Sequence, residues 1–368
     1  MSLNLIEQYV KRNVSPHDQS PKFQKQVNSY YKNVDVMTPE ELRNFREHYD
    51  GYNEKLAERL LETIFNNNKK LEPYRQYVSA SLILTDKEYT QNSRMGNYSV
   101  ITLDMITCGL AHDLNRILAE TIKSEIFTPE IKRHVRETLD YFANKLLMSR
   151  GGNGRYIEIP VLPAYADFDR ASMAVLFTSY QEIFLLAHEL GHYFIDQNLL
   201  HLFQEDTYYK AQLMFQLILI SEKKFKVLND EQKKSLFDEV LADEIAYQIY
   251  HETIKDSEKL VYDALFYYLN ILLSSQYYIK HLLNQTKHNS YELLSWEVRL
   301  KYYNIKFKEL DIWGAALNNH ILGFVKVIAN ESYKLRFLYS NQAKHKKQKS
   351  EKNKRKAAKK SRKNNRNN

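Results

Sequence analysis

Two histidines four residues apart, with a glutamate after the first, lie in the stretch IFLLAHELGHYFID at residues 183–196, as His188-Glu189-Leu190-Gly191-His192. On a helix, residues i and i+4 project from one face with Cβ atoms ~5–6 Å apart. Both imidazoles can then bring Nε2 to ~2.0–2.1 Å from one zinc ion. Glu189, one step around the helix, stands near the metal without ligating it, where a general base must be. Zinc lowers the pKa of its water towards ~7, and the carboxylate takes the proton as the water attacks a carbonyl. His188 and His192 are therefore read as zinc ligands and Glu189 as the catalytic base.

The flanking residues argue for a buried helix. Ile183, Leu186, Leu190 and Phe194 form an apolar stripe on the side away from the histidines. Two core histidines and a glutamate with no metal to compensate them would be costly. Gly191 is poor helix filler, losing ~1 kcal/mol against Ala. A glycine beside the ligands lets another chain segment approach closely.

A catalytic zinc wants a third protein ligand and an open position. The pattern that continues His-x-x-Gly-x-x-His is excluded, because Ile195 and Asn198 occupy its places. His201, nine residues beyond His192, has no helper motif. The stronger source is LFDEVLADEIAYQIY, where Glu239 and Asp243 are again four apart with Ala242 and Ala246 beside them. Small residues there allow tight packing against the first helix. Glu239 would bind the metal, and Asp243 would accept the Nδ1–H of a ligating histidine, fixing its tautomer. Glu244 competes with Glu239 for the ligand role.

His-Glu-x-x-His followed by Glu-x-x-x-Asp on a later helix resembles the gluzincin group of zinc metallopeptidases, over roughly residues 150–255. The resemblance implies a zincin-like core holding one zinc per chain on His188, His192 and Glu239. It implies Glu189 as base, Asp243 as the outer partner of a ligand, and hydrolysis of peptide bonds in a protein or peptide substrate. It also implies a strand just before the active-site helix, whose edge pairs with extended substrate; RYIEIPVLP is placed for that. Several intracellular members carry a downstream His-Pro, then Arg on the next helix, and the tetrahedral oxyanion needs such a donor. Here KHNSYELLSWEVRL offers His288 and Arg299, with Asn289 in place of the proline and a stretched spacing. Tyr247 and Tyr291 are alternatives that, among 28 tyrosines, fit packing better.

The elements that must position these residues follow from composition and pattern. Only nine Gly and seven Pro in 368 residues favour long helices, and 43% hydrophobic residues can build a large core. The expected fold is α+β and mostly α-helical, with a small sheet before the active-site helix. Thr38, Pro39 and Glu41 open a helix in the first ~70 residues through a capping box. QYVSASLILTD and NYSVITLD read as strands, followed by helices over 105–124 and 129–148. A glycine-rich turn feeds a strand from Arg155 to Leu162, and further helices are expected over 176–197, 208–226, 231–255, 259–285, 290–303 and 308–338. Three regions result: a mainly helical 1–150 with short strands, a zincin-like catalytic 151–340, and a disordered basic tail, 341–368.

The single cysteine, Cys108, excludes an intramolecular disulfide and a Cys-based zinc site, and fits a reducing compartment. The first twenty residues lack the ~7–15-residue apolar core of a signal peptide. No apolar run approaches the ~20 residues that span a bilayer. The expectation is a cytoplasmic protein without a transmembrane segment. Its net charge of +8 comes from the tail: residues 342–368 hold 13 Lys or Arg and one Glu, leaving 40 basic against 44 acidic residues elsewhere. Such a tail can hold nucleic acid or an anionic surface non-specifically. The alternative function is therefore a catalytically inactive zincin-like binding or regulatory protein acting on nucleic acid through this tail.

Overall fold

The computed structural model describes residues 56–83, 91–121, 127–149, 162, 168–221, 225, 228–254, 291–309 and 320–338. The expected capping box at 38–41, the strand at 155–162 apart from Leu162, the helix 259–285, His288 and the basic tail lie outside them.

Among the described residues a mostly helical architecture packs around one small sheet. Helix α1 (residues 56–67) leads through a short 3-10 turn to β1 (Val78–Ile83). Strands β2 (Gln91–Met95) and β3 (Tyr98–Asp104) form a hairpin, and the sheet order is β1-β3-β2. Central β3 pairs parallel with β1, Val78 opposite Ser99, and antiparallel with β2, Asn92 opposite Ile101. The two-residue hairpin loop Gly96-Asn97 has Gly96 at φ +63°, the first central position of a type II′ turn, where glycine carries no Cβ penalty.

β2 was not anticipated. Its sequence QNSRM carries no β-branched or aromatic residue, and it forms a strand because the tight turn folds it back on β3.

β3 runs directly into α2 (Met105–Thr121). Buried Asp104 caps that helix: Thr107 donates its backbone N–H and its hydroxyl to Oδ2, at 2.9 and 2.7 Å. α3 (Pro129–Ser149) starts with Pro129 behind Thr128, whose hydroxyl oxygen accepts the Ile131 N–H. α4 (Phe168–Asp196) is the longest described helix and starts eight residues before the expected 176. α5 (Thr207–Ser221) and α6 (Asp230–Ile254) follow, the latter opened by a reciprocal box between Asn229 and Gln232. α7 (Tyr291–Glu309) and α8 (residues 320–338) complete the described chain.

α4 is the axis of the core. Residues 181–190 are buried without a break, because α2, α6 and strands β2 and β3 all pack on this helix. α5 and α7 cover α6 from its other side. Ile183, Leu186, Leu190 and Phe194, the stripe read from the sequence, are all in the core. Among the described residues no helix is long and apolar enough to cross a membrane.

Candidate metal centre

His188 and His192 lie one helical turn apart on α4, the first within its buried stretch and the second just beyond it. The opposing face of α6 brings Glu239 to them. The Nε2 atoms of the two histidines are 3.2 Å apart, and Glu239 places Oε2 3.4 Å from His188 Nε2 and Oε1 3.7 Å from His192 Nε2. Among the described residues this is the one cluster of three such side chains that can hold a metal ion. A tetrahedral ion with bonds of ~2.0–2.1 Å has ligand–ligand edges of ~3.3–3.4 Å, close to the 3.2 Å between the two imidazole nitrogens and the 3.4 Å from His188 Nε2 to Glu239 Oε2. The rings stand edge to face, 4.7 Å between centroids, with their Nε2 atoms adjacent. His188 is buried, while His192 and Glu239 are 25% and 26% exposed, so the triangle is shut on one side and open on the other.

The close approach of α6 to α4 depends on Gly191. A β-carbon there would lie 2.8 Å from the Ala242 carbonyl oxygen and 3.0 Å from its Cα. α4 stops soon after its second histidine. Asn198 adopts φ 56°, and the Leu199 and Asn198 N–H groups return to Phe194 and Ile195 carbonyls, a Schellman ending. The position where the extended histidine pattern would have its third ligand is thus the left-handed residue that ends the helix.

Behind the triangle sits a buried charge network. Asp243 Oδ1 lies 2.8 Å from His188 Nδ1, in a bent approach short of a straight hydrogen bond. Arg299, from α7, holds the same carboxylate with both prongs of its fork, Nε to Oδ2 at 2.9 Å and Nη2 to Oδ1 at 2.8 Å. Asp243 is fully buried and Arg299 nearly so. Burial works against the Asp243 charge, but Arg299 and His188 outweigh it and hold the carboxyl below its ordinary range. The sequence reading set Arg299 beside the reacting carbonyl; in the structure two of its nitrogens are engaged with Asp243, behind His188.

The competitor Glu244 is turned away from the triangle. Its carboxylate accepts the Tyr302 hydroxyl and two contacts from Lys306 Nζ, each at 3.0 Å. Lys306 also lies 4.7 Å over the Tyr247 ring. Tyr247 is thereby part of the α6–α7 packing. Tyr291 has no described side chain.

Charge is distributed unevenly over the cluster. Burial and the Arg299 cation press His188 towards neutrality, but Asp243 and Glu239 overcome them and raise it to about 9. His192 is driven down to about 4, chiefly by burial and also by His188 and Arg299. Burial opposes ionisation of Glu239 as well, yet the bond from His188 and the charges of His192, His188 and Arg299 depress its pKa strongly. Glu189, 7% exposed, is raised by burial to about 7, with Glu239 adding and His188 opposing.

No family model, curated protein or solved structure matches this chain. What the site can do is therefore read from its own atoms.

One contributor escaped the sequence reading altogether. Asn92, on β2, donates from Nδ2 to the Glu189 carbonyl at 3.3 Å, and its own backbone N–H bonds the Glu189 carboxylate. Nothing in QNSRM marks it, since an asparagine in a polar run reads as loop.

Proposed function

We propose that the chain is a zinc-dependent metallopeptidase that hydrolyses peptide bonds in a protein substrate. The observation that carries this reading is the cluster of His188, His192 and Glu239, which can hold a metal ion, with buried Glu189 beside it and His192 and Glu239 partly exposed. Two imidazoles and one carboxylate are the donor set of catalytic zinc rather than of calcium or magnesium, which take oxygen ligands in larger shells. Zinc held there would lower the pKa of a water and polarise a carbonyl.

The chain's own residues supply the rest. Glu189 takes the proton from the attacking water and returns it to the leaving amine. Asp243, held by Arg299, lies against Nδ1 of His188 and would leave Nε2 of that ring to hold the metal. The edge of β2 supports an extended peptide as substrate. With Met95 and Tyr98 closing the two-residue loop as a bonded pair, alternation turns the backbone groups of Asn92 and Arg94 away from β3. The Asn92 N–H is taken by the Glu189 carboxylate, and the Arg94 groups point to the side of β2 that has no strand among the described residues, where a substrate strand would add. RYIEIPVLP, to which the sequence reading assigned this role, lies outside the described residues apart from Leu162.

The test is Glu189→Gln beside His188→Ala, with metal analysis of the purified proteins. Wild type should carry about one zinc per chain and cleave an unfolded protein such as casein. Glu189→Gln should keep the zinc and lose turnover by ~10²-fold or more, the usual scale for a general base. His188→Ala should lose both. A wild-type protein that binds no zinc, or a Glu189→Gln variant that cleaves normally, would refute the proposal.

A further inference from the structure

We propose that Asn92 is a positioning residue that locks the open edge of β2 to the turn of α4 bearing Glu189, so that base and substrate strand share one frame. This rests on the metallopeptidase reading of the same site. The chemistry of the three groups leaves one arrangement. The Glu189 carbonyl can only accept, so the atom of Asn92 facing it at 3.3 Å must be the amide nitrogen. The amide oxygen then faces Ser99, whose hydroxyl must donate to it. Ser99 belongs to the central strand and is fully buried, so it cannot swing away to water. A chain of donors therefore runs from β3 through the Asn92 side chain into the backbone of α4, between the two histidines.

Asn92 holds Glu189 at both ends, since its backbone N–H bonds the carboxylate as well. The other ties between hairpin and helix cluster at the turn. Arg94 pairs with Asp196 at 3.1 Å, Gln197 donates to the Gly96 carbonyl, and the Tyr193 hydroxyl donates to the Asn97 carbonyl. Those fix the far end of β2. Asn92 is the tie nearest the metal ligands, on a strand that among the described residues has a neighbour on one side only.

The experiment compares wild type, Asn92→Ala and Ser99→Ala as full-length, zinc-loaded proteins on a peptide substrate. It adds hydrogen exchange of the metal-free proteins. Asn92→Ala should lower kcat by ~10–100-fold, as expected for a misplaced base, with KM changed by less than about threefold. Zinc should remain at one per chain. Ser99→Ala, which frees the amide to rotate, should show a smaller loss in the same direction. Exchange at the amides of residues 91–95 should quicken in both variants while α4 amides stay protected. Unchanged kcat with zinc bound, a loss confined to KM, or unchanged exchange over β2 would overturn the inference. Should Asn92→Ala fail to fold, Ser99→Ala decides it. Should wild type not hydrolyse peptides, the metallopeptidase reading falls, and the exchange comparison alone judges whether Asn92 holds the edge.

Discussion

Gly191 and Ala242 touch backbone to backbone: a β-carbon on Gly191 would sit 2.8 Å from the Ala242 carbonyl oxygen. Backbone atoms on a packed helix cannot rotate aside, so Gly191→Ala must push α6 away from α4. The cost of overpacking is about 1–3 kcal/mol, reduced somewhat by the ~1 kcal/mol that Ala gains in a helix. Because Glu239 sits one turn from Ala242, the same shift should weaken zinc binding. Urea unfolding and a zinc titration of the variant check both effects. Unaltered affinity would mean that the helix spacing is not set here.

Glu239 and Glu244 should separate cleanly under substitution. Glu239→Gln is expected to lose zinc, leaving the fold intact. Glu244→Gln is expected to keep one zinc per chain but to lose stability, because Lys306 is left without its buried partner. Removing one member of such a pair costs about 3–5 kcal/mol when the other stays charged. Metal analysis and thermal melting of the two variants make the comparison. Zinc loss from Glu244→Gln would reverse the ligand assignment.

Arg299→Lys should behave as a damaging change despite conserved charge. A lysine has no fork, and the two contacts at 2.9 and 2.8 Å to Asp243 cannot both be kept. Arg299→Ala should be worse, about 3–5 kcal/mol, since it strands a buried carboxylate. Asp243→Asn should loosen the His188 ring and weaken metal binding by about 10–100-fold, the usual scale for an outer partner of a ligand. Competition with a zinc-responsive dye reads the affinities.

Glu182 offers a pH test away from the metal. It lies in the α2–α4 interface beside Cys108, and burial raises it to about 7 against a small opposing effect of the thiol bond. Between pH 4.5 and 7 the folded chain binds more protons at this site than the unfolded chain, so stability falls as pH rises through that window. The full penalty above pH 7 is of order 3 kcal/mol. Glu182→Gln should therefore stabilise the protein at pH 8 by up to that amount and change it little at pH 4.5. Urea midpoints at both values check the sign; a variant equally stable or less stable at pH 8 would show that the carboxyl is not buried in charged form.

Much of this site is written in local pattern. An i, i+4 histidine pair needs only a helix to become two converging ligands. The apolar stripe of Ile183, Leu186, Leu190 and Phe194 dictates that this helix is buried. The oddity of a glycine beside the second histidine points to a close neighbour. β1, β3 and the long helices follow from β-branched runs, caps and 3.6-residue periodicity, all properties of contiguous residues. β2 is missing from that reading because its strand character comes from pairing with β3 and not from its own residues.

The remaining choices are long-range. Glu239 and Glu244 are five residues apart, so they point ~140° from each other around α6 at 3.6 residues per turn. Only the packing of α6 between α4 and α7 decides which carboxylate meets the histidines and which meets Lys306. In the same way the partner of Asp243 comes from α7, 56 residues later, and the anchor of Glu189 comes from β2, 97 residues earlier. By itself the sequence determined the histidine pair, the glutamate beside it and the helix that carries them, because a helical turn enforces those positions. The carboxylate that joins the histidines, the charge behind the first of them and the clasp on Glu189 were decided by which helix and strand faces the core drove together.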